Sequence, residues 1–422
     1  MFIADFHIHS KYSRATSRDM DLENLDKWAK IKGIKTLGTG DFTHPQWFRE
    51  LKEKLEPAEP GLFQLKSEAR NSKSEIDGVR FILTSEISCI YSKKNRVRKI
   101  HILIFAPSFE AVEKINAQLG WIGNLKSDGR PILGLDAKEL AKIVLSASPD
   151  CLVVPAHAWT PWFSIFGSKS GFDSIEECFD EYSKYIYAIE TGLSSDPAMN
   201  WRLSALDKVA LISNSDSHSP QKIGREANVF DTELSYPAIV QAVKSKDPQR
   251  FLCTIEFFPE EGKYHYDGHR LCQISLSPQE SKKYNNVCPK CGRLLTIGVL
   301  NRVEALADRK EGFNPENAIP FKSLIPLSEI IADVLDQGVG TIAVDREYKN
   351  LLTKFDSEFS VLLEAPEEAL KGATLPEIAE GIVRVREGKV SIEPGFDGVY
   401  GKISVFPKEE QKTAPRQSTL FG

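Results

Sequence analysis

The sequence predicts an α/β protein, with a seven-stranded, closed or nearly closed barrel in its first half, then a small zinc-binding module, then a mainly helical C-terminal region. Three observations carry this expectation. Short apolar runs alternate with helical patterns from residue 1 to about 230. Histidines and carboxylates fall at the ends of those runs. A stretch rich in Cys and His breaks the alternation between about 250 and 300.

Phe2–His7, Ile34–Gly38, Phe81–Ser85, Ile100–Phe105, Leu152–Pro155, Tyr187–Glu190 and Ala210–Ser213 read as the seven strands. Asp21 is placed to cap a helix whose apolar face is Leu22, Leu25, Trp28 and Ala29 and which Gly33 stops. Asp136 is placed to cap another, AKELAKIVLSA. Strand-then-helix repetition implies parallel strands with their C-terminal ends at one mouth. Past residue 300, LSEIIADVLDQG and LPEIAEGIVRVREG read as helices, and KVSIEP and VYGKISVF as strands. The expected organisation is a barrel over 1–235, a zinc module over 250–300, a helical region over 301–405 and a polar tail over 406–422.

Bulk properties narrow the classes. At 422 residues, with 41% hydrophobic and 27% charged residues, the chain is of ordinary globular composition. No 18-residue apolar run and no signal-like start occur, so a cytoplasmic location without membrane contact is expected. Seven cysteines, an odd number with three crowded together, argue against a disulfide framework. The net charge of −5 does not suggest a nucleic-acid binder. Bound cations would neutralise several of the counted carboxylates, so overall charge decides little.

The eight histidines are more informative. His7, His9, His44, His101, His157 and His218 lie at or just past proposed strand ends, as do Asp41, Glu86 and Asp216. His7 and His9 stand two apart on an extended strand and so share a face, and Asp216 and His218 repeat that spacing. Nine such groups at one mouth would repel and desolvate one another at a cost to folding, which metal ions remove. The set suits two or three divalent ions, zinc, manganese or iron, with magnesium at a more oxygen-rich position. Such clusters activate water and stabilise a leaving oxygen in phosphoryl chemistry.

The order HxH, Asp, Glu, His, His, DxH resembles the PHP superfamily of metal-dependent phosphoesterases over about residues 1–230. ADFHIHSKYSRATS, GTGDFTHP, VPAHAWTPWFSIFGSKSGF, ETGLSSDP, SNSDSHSP and PGFDGVYG resemble the endonuclease Q family over nearly the whole chain. The resemblance implies a distorted seven-stranded β/α barrel holding three metals. It also implies hydrolysis of the DNA phosphodiester 5′ to uracil, hypoxanthine, xanthine or an abasic site, leaving a 3′-hydroxyl. One departure is that Asp41 and His44 are separated by Phe42 and Thr43, where many PHP proteins have Asp followed directly by His. His44 is thus either a ligand or a residue behind one. Asp196 in GLSSDP either orients or deprotonates the attacking water, or caps the helix that follows.

His269 and Cys272 form an HxxC pair, and Cys288 and Cys291 a CxxC pair, fifteen residues on. Together they read as a structural zinc site, with His269 favoured over His265 by its two-residue spacing. Lys93, Lys94, Arg96, Arg98 and Lys99 in YSKKNRVRK are expected to contact DNA phosphates, the alternative being a solvated hairpin tip. Trp159, Trp162 and Phe166 in the loop after His157 are expected to hold an extruded base, with Ser168, Lys169 and Ser170 reading its edge or phosphate; the bland alternative is a cluster packing the loop onto the barrel. Gln417, Leu420 and Phe421 resemble a shortened binding box for the PCNA sliding clamp. The competing function is a PHP-type phosphatase acting on a small phosphorylated metabolite, which would need neither the zinc module nor the basic hairpin.

Overall fold

The computed structural model describes residues 1–67 and 78–407. The expected clamp motif at Gln417, Leu420 and Phe421 lies outside the described residues. A strand stands at each of the seven expected positions: β1 (Phe2–Asp5), β2 (Thr36–Gly38), β3 (Arg80–Lys93), β4 (Arg96–Ala106), β5 (Leu152–Pro155), β6 (Ala188–Glu190) and β7 (Ala210–Ile212). Both capped helices form as read. Asp21 accepts from the Asn24 amide at the start of Leu22–Lys32, and Gly33, at φ 87°, closes that helix in the left-handed conformation. Asp136 accepts from the Lys138 amide at the start of Ala137–Ala147.

The sheet is mixed, which corrects the all-parallel expectation. β1, β2 and β3 are parallel neighbours, but β4 runs antiparallel to both β3 and β5. The reason is local. Only Lys94 and Asn95 connect β3 to β4, both at positive φ (51° and 58°), as a tight primed hairpin turn requires. A parallel crossover would need a dozen residues or more. The hairpin is also longer than expected, so Glu86 and His101 lie within their strands and not at the strand ends.

The far edge also differs. β1 pairs antiparallel with β8 (Ala227–Phe230), which pairs with β9 (Phe251–Glu256), and β9 pairs parallel with Phe321–Ser323. The sheet therefore runs through the boundary expected near residue 235. β6 and β7 form a separate parallel pair. Side-chain amides bridge the seam between β7 and β1. Asn214 Oδ1 accepts from the Phe6 amide at 2.8 Å, and Asn228 binds both the amide and the carbonyl of Ser213. Phe6, Ile82, Leu103, Phe105, Val154 and Ile212 fill the interior beneath the mouth.

Two helices of the C-terminal region, Leu327–Leu335 and Ile342–Phe355, are joined to the first helix by a buried polar knot; a third, Pro376–Arg386, follows them. Glu358 accepts from Lys32 Nζ at 2.7 Å, from the Tyr348 hydroxyl at 2.6 Å and from the Leu327 amide at 3.1 Å. The two expected late strands pair antiparallel as Ser391–Glu393 and Lys402–Ser404. Among the described residues, no helix is long and apolar enough to cross a membrane.

A second buried polar group has a consequence for stability. Glu226 and Glu256 are fully buried where β8 and β9 meet. Burial pushes Glu256 up to about 8 against a hydrogen bond from the Thr191 hydroxyl at 2.9 Å. Burial and the nearby Glu256 hold Glu226 well above the carboxylate range. In the unfolded chain both ionise in that ordinary range, so their folded, protonated form weakens progressively as pH rises toward about 8. Glu256→Gln is expected to raise the melting temperature by a few degrees at about pH 8.5 and hardly at all at about pH 5; equal shifts at both pH values would contradict the assignment.

Candidate metal centre

Glu86 is the centre of the site. Its Oε2 faces one group of ligand atoms and its Oε1 another. On the first side, Oε2 lies 3.5 Å from His7 Nε2 and 3.2 Å from His9 Nε2. Asp216 Oδ1 lies 3.6 Å from His7 Nε2 and 3.1 Å from His9 Nε2. On the other side, Oε1 lies 2.7 Å from His101 Nδ1 and 3.0 Å from His157 Nε2. Ligands bound tetrahedrally at about 2.0–2.1 Å stand about 3.3 Å apart, a value that the 3.1–3.6 Å separations of the first group bracket.

The residues fit divalent cations by a second criterion. His7 Nε2, His9 Nε2 and Asp216 Oδ1 are buried and have no hydrogen-bond partner among the described residues, yet they lie together around one point. The opposite ring nitrogens are committed. His7 Nδ1 is 3.0 Å from Glu190, and His9 Nδ1 is 3.0 Å from Asp41. A carboxylate behind an imidazole fixes its tautomer and aims its free nitrogen, the usual arrangement behind a metal ligand.

The electrostatics agree. Burial opposes charge on His7, but Glu190, Glu86 and Asp216 outweigh it and push its pKa well up; Asp41, Asp216 and Glu86 do the same for His9. Against its own burial, Glu86 is held well below the carboxylate range by His101, Arg130 and His7. Three of the residues sit at strained positive φ, Asp41 at 51°, His157 at 31° and Asp216 at 45°. Strain of this kind persists where the surroundings over-determine a functional geometry. His157 also depends on Gly192, because a Cβ there would lie 2.5 Å from the His157 Cβ.

Of the nine expected ligands, His7, His9, Glu86, His101, His157 and Asp216 converge in these two groups. The other three stand outside them. Asp41 is occupied by His9 Nδ1, the Ser10 amide and the hydroxyls of Ser10 and Ser13. His44 caps the helix Pro45–Lys54 and stacks on Tyr12 at 4.4 Å. His218 packs on the His9 ring at 4.6 Å, with its Nδ1 against the Asp216 carbonyl. Asp196 caps the helix Pro197–Asn200, accepting from the Met199 amide, with burial raising its pKa.

Two participants were missed in the sequence. Glu190 is buried at the end of β6 and also accepts from the His157 amide and from Asn214. Its position at a strand end was the signal, the same one that picked out Asp41 and Asp216. Arg130 donates from Nη1 to Glu86 Oε2 at 3.0 Å, and Asp128 holds its amide together with Arg14. SDGRP carries no strand-end signal.

His269, Cys272, Cys288 and Cys291 come together as a second group, with all four ligand atoms within 4.8 Å of one another. Gly292, at φ 74°, lets the CPKCG turn close with a bond from its amide to the Cys288 carbonyl. The competing His265 is buried beside Tyr266, outside the group.

The expected DNA contacts divide. Arg98 is buried, bonded to the Gly171 carbonyl and stacked 4.0 Å from Phe172, while Lys93 is tied to the Cys178 carbonyl and Asp180. Trp159 and Phe166 are fully buried, the Trp159 indole donating to Asn200, and Ser170 is buried against Lys99 and Phe163. For these five residues the packing alternative describes the contacts seen. Lys94, Arg96, Trp162, Ser168 and Lys169 are exposed, and Lys99 is half-buried over Phe163.

Comparison with known proteins places this geometry. Residues 326–389 match the family model of the MJ0043 C-terminal domain. The chain is 34% identical over 261 residues to protein MJ0043 of Methanocaldococcus jannaschii, covering 60% of this chain but 32% of that one, and 29% identical to YqxK of Bacillus subtilis over 95% of this chain and 98% of that one. The crystal structure of the lesion-specific endonuclease PfuEndoQ from Pyrococcus furiosus superposes with a TM-score of 0.84 at 33% identity, covering 98% of this chain and 97% of that one. An endonuclease Q bound to a 27-mer duplex with an abasic lesion at its active site superposes at 0.83 with 32% identity, over 99% and 100% of the two chains. The chain belongs to the endonuclease Q family.

Proposed function

We propose that this protein is a DNA-repair endonuclease that hydrolyses the phosphodiester 5′ to a deaminated base (uracil, hypoxanthine or xanthine) or an abasic site. The observation that carries the reading is Glu86, whose two oxygens serve two groups of ligand atoms in a chain that matches lesion-specific endonucleases end to end. Divalent ions in such a cluster lower the pKa of water and stabilise the oxygen leaving phosphorus. His7, His9, Glu86 and Asp216 would hold one such ion, and Glu86, His101 and His157 another. Glu190 and Asp41 keep the rings of His7 and His9 aimed. Arg130 sets a guanidinium at the edge of the cluster, where it neutralises a non-bridging phosphate oxygen. Water oxygen bonds to phosphorus as the bond to the 3′-oxygen breaks, leaving a 3′-hydroxyl. Asp196, in this reading, caps its helix and is not the base. His269, Cys272, Cys288 and Cys291 hold a structural zinc. A clamp contact through Gln417, Leu420 and Phe421 rests on the tail sequence alone.

A labelled duplex carrying one deoxyuridine or deoxyinosine, incubated with magnesium or manganese, is expected to be nicked on the modified strand only. His9→Ala and Asp216→Ala should lose nicking by at least about a thousandfold while still binding the duplex; full activity in either would remove the cluster from the reaction. Glu190→Gln should weaken barrel-metal affinity about 10–100-fold, measured by metal titration, and unchanged affinity would reduce Glu190 to a packing role. Cys288→Ala should release zinc and lower the melting temperature, whereas zinc content equal to wild type would show another ligand set.

A further inference from the structure

Beside the metal centre, aromatic rings and lysines from four distant parts of the chain form a continuous surface. Phe163 lies against the His101 ring at 4.8 Å, with Lys99 Nζ 5.3 Å from its own ring. Next to it, Trp162 is 41% exposed and meets Tyr264 edge-on at 5.6 Å. Lys263 Nζ lies 5.8 Å from the Tyr264 ring and 5.6 Å from the ring of Tyr400, which is 71% exposed. The order outward from the centre is therefore Phe163, Trp162, Tyr264, Lys263, Tyr400.

Tyr400 is held there by its backbone. The Gly395, Gly398 and Gly401 amides donate to the carbonyls of Glu260, Lys263 and Glu261, at 2.8, 2.8 and 3.0 Å, and the Tyr266 amide donates to the Gly395 carbonyl at 2.9 Å. A Cβ on Gly395 or Gly401 would collide with the backbone of residues 260–262, so the close approach requires glycine. The PGFDGVYG segment thus carries a largely exposed tyrosine to the side of a lysine far from it in sequence, where burial of the ring offers no compensation.

Rings alternating with ammonium groups match one chemistry. Unpaired bases present faces that stack on aromatic side chains, and the phosphates between them pair with cations. Duplex DNA hides its base faces and offers the phosphates alone. An acidic peptide would use the lysines and leave the rings uncovered. We infer that this track binds unpaired nucleotides of the cut strand, next to the lesion and leading away from the metal centre. The inference rests on the proposal that the centre cuts DNA, and it adds Tyr264, Lys263 and Tyr400 as a binding site outside the catalytic cluster.

Fluorescence anisotropy of the full-length protein with labelled oligo(dT) tests it. Tyr400→Ala and Lys263→Ala are each expected to weaken binding about 5- to 50-fold, with Tyr400→Trp restoring it. Affinity for an undamaged duplex of the same length and the melting temperature should stay at wild-type values. Binding within twofold of wild type in both alanine variants, or an equal loss for duplex, would overturn the inference. The two readings fail separately. Wild-type protein that nicks lesion duplex while neither variant changes oligo(dT) binding removes the track and leaves the nuclease. Protein that binds oligo(dT) through these residues but nicks no lesion duplex removes the nuclease and leaves the track.

Discussion

The sharing of Glu86 between two sets of ligand atoms governs the rest of the structure. A fully buried carboxylate among four imidazoles and a guanidinium is tolerable only because each oxygen is matched by positive charge or potential metal coordination. That arrangement needs Glu86 deep within a strand and His101 on the facing strand of a tight hairpin, two residues from Leu103, which pairs with Glu86. It needs β1 to bring His7 and His9 from one side and the turn after β7 to bring Asp216. The seam between those two strands is bridged by Asn214 and Asn228, which replace ladder hydrogen bonds with side-chain ones just below the ligands. An outer layer of Glu190 and Asp41 then fixes the rings. Strain at Asp41, His157 and Asp216 and the close seat of His157 against Gly192 belong to the same construction.

Much of this was legible in the sequence. Of the six expected ligands that meet, His7, His9, His157 and Asp216 follow strand ends, where a polar group after an apolar run has a geometric cause, whereas Glu86 and His101 reach the same centre from within the long hairpin. The same rule took in Asp41, His44 and His218, which sit close by with other partners. End-of-strand position places a residue at the mouth but does not tell which atom faces the centre. The mixed sheet was missed although YSKKNRVRK reads as a basic hairpin, because strand-then-helix repetition elsewhere implied parallel strands; a two-residue hairpin makes its strands antiparallel. Arg130 was invisible for a different reason. It reaches Glu86 from a loop after a helix, and only tertiary packing aims it.

The basic and aromatic runs show where composition misleads. Arg98 and Lys93 look like phosphate contacts, but their charges are used on Gly171, Cys178 and Asp180 to hold the loop after His157. Trp159 and Phe166 build the core beneath that loop, and it is Trp162, one of its exposed rings, that meets Tyr264 at the edge of the cysteine module. The meeting of His269, Cys272, Cys288 and Cys291 was readable from spacing alone because two tight turns fix the local geometry of each pair. Its contact with the late PGFDGVYG segment was not, since nothing local to either stretch encodes the meeting.

The most direct test is the metal content of the purified protein and of Glu86→Gln, measured by mass spectrometry after loading with manganese or zinc. If Glu86 joins two positions, wild type should carry at least two ions per chain beyond the one on the cysteine module, and the variant, still folded by circular dichroism, should lose those and keep the module's ion. A folded Glu86→Gln protein with the wild-type number of ions would contradict the account.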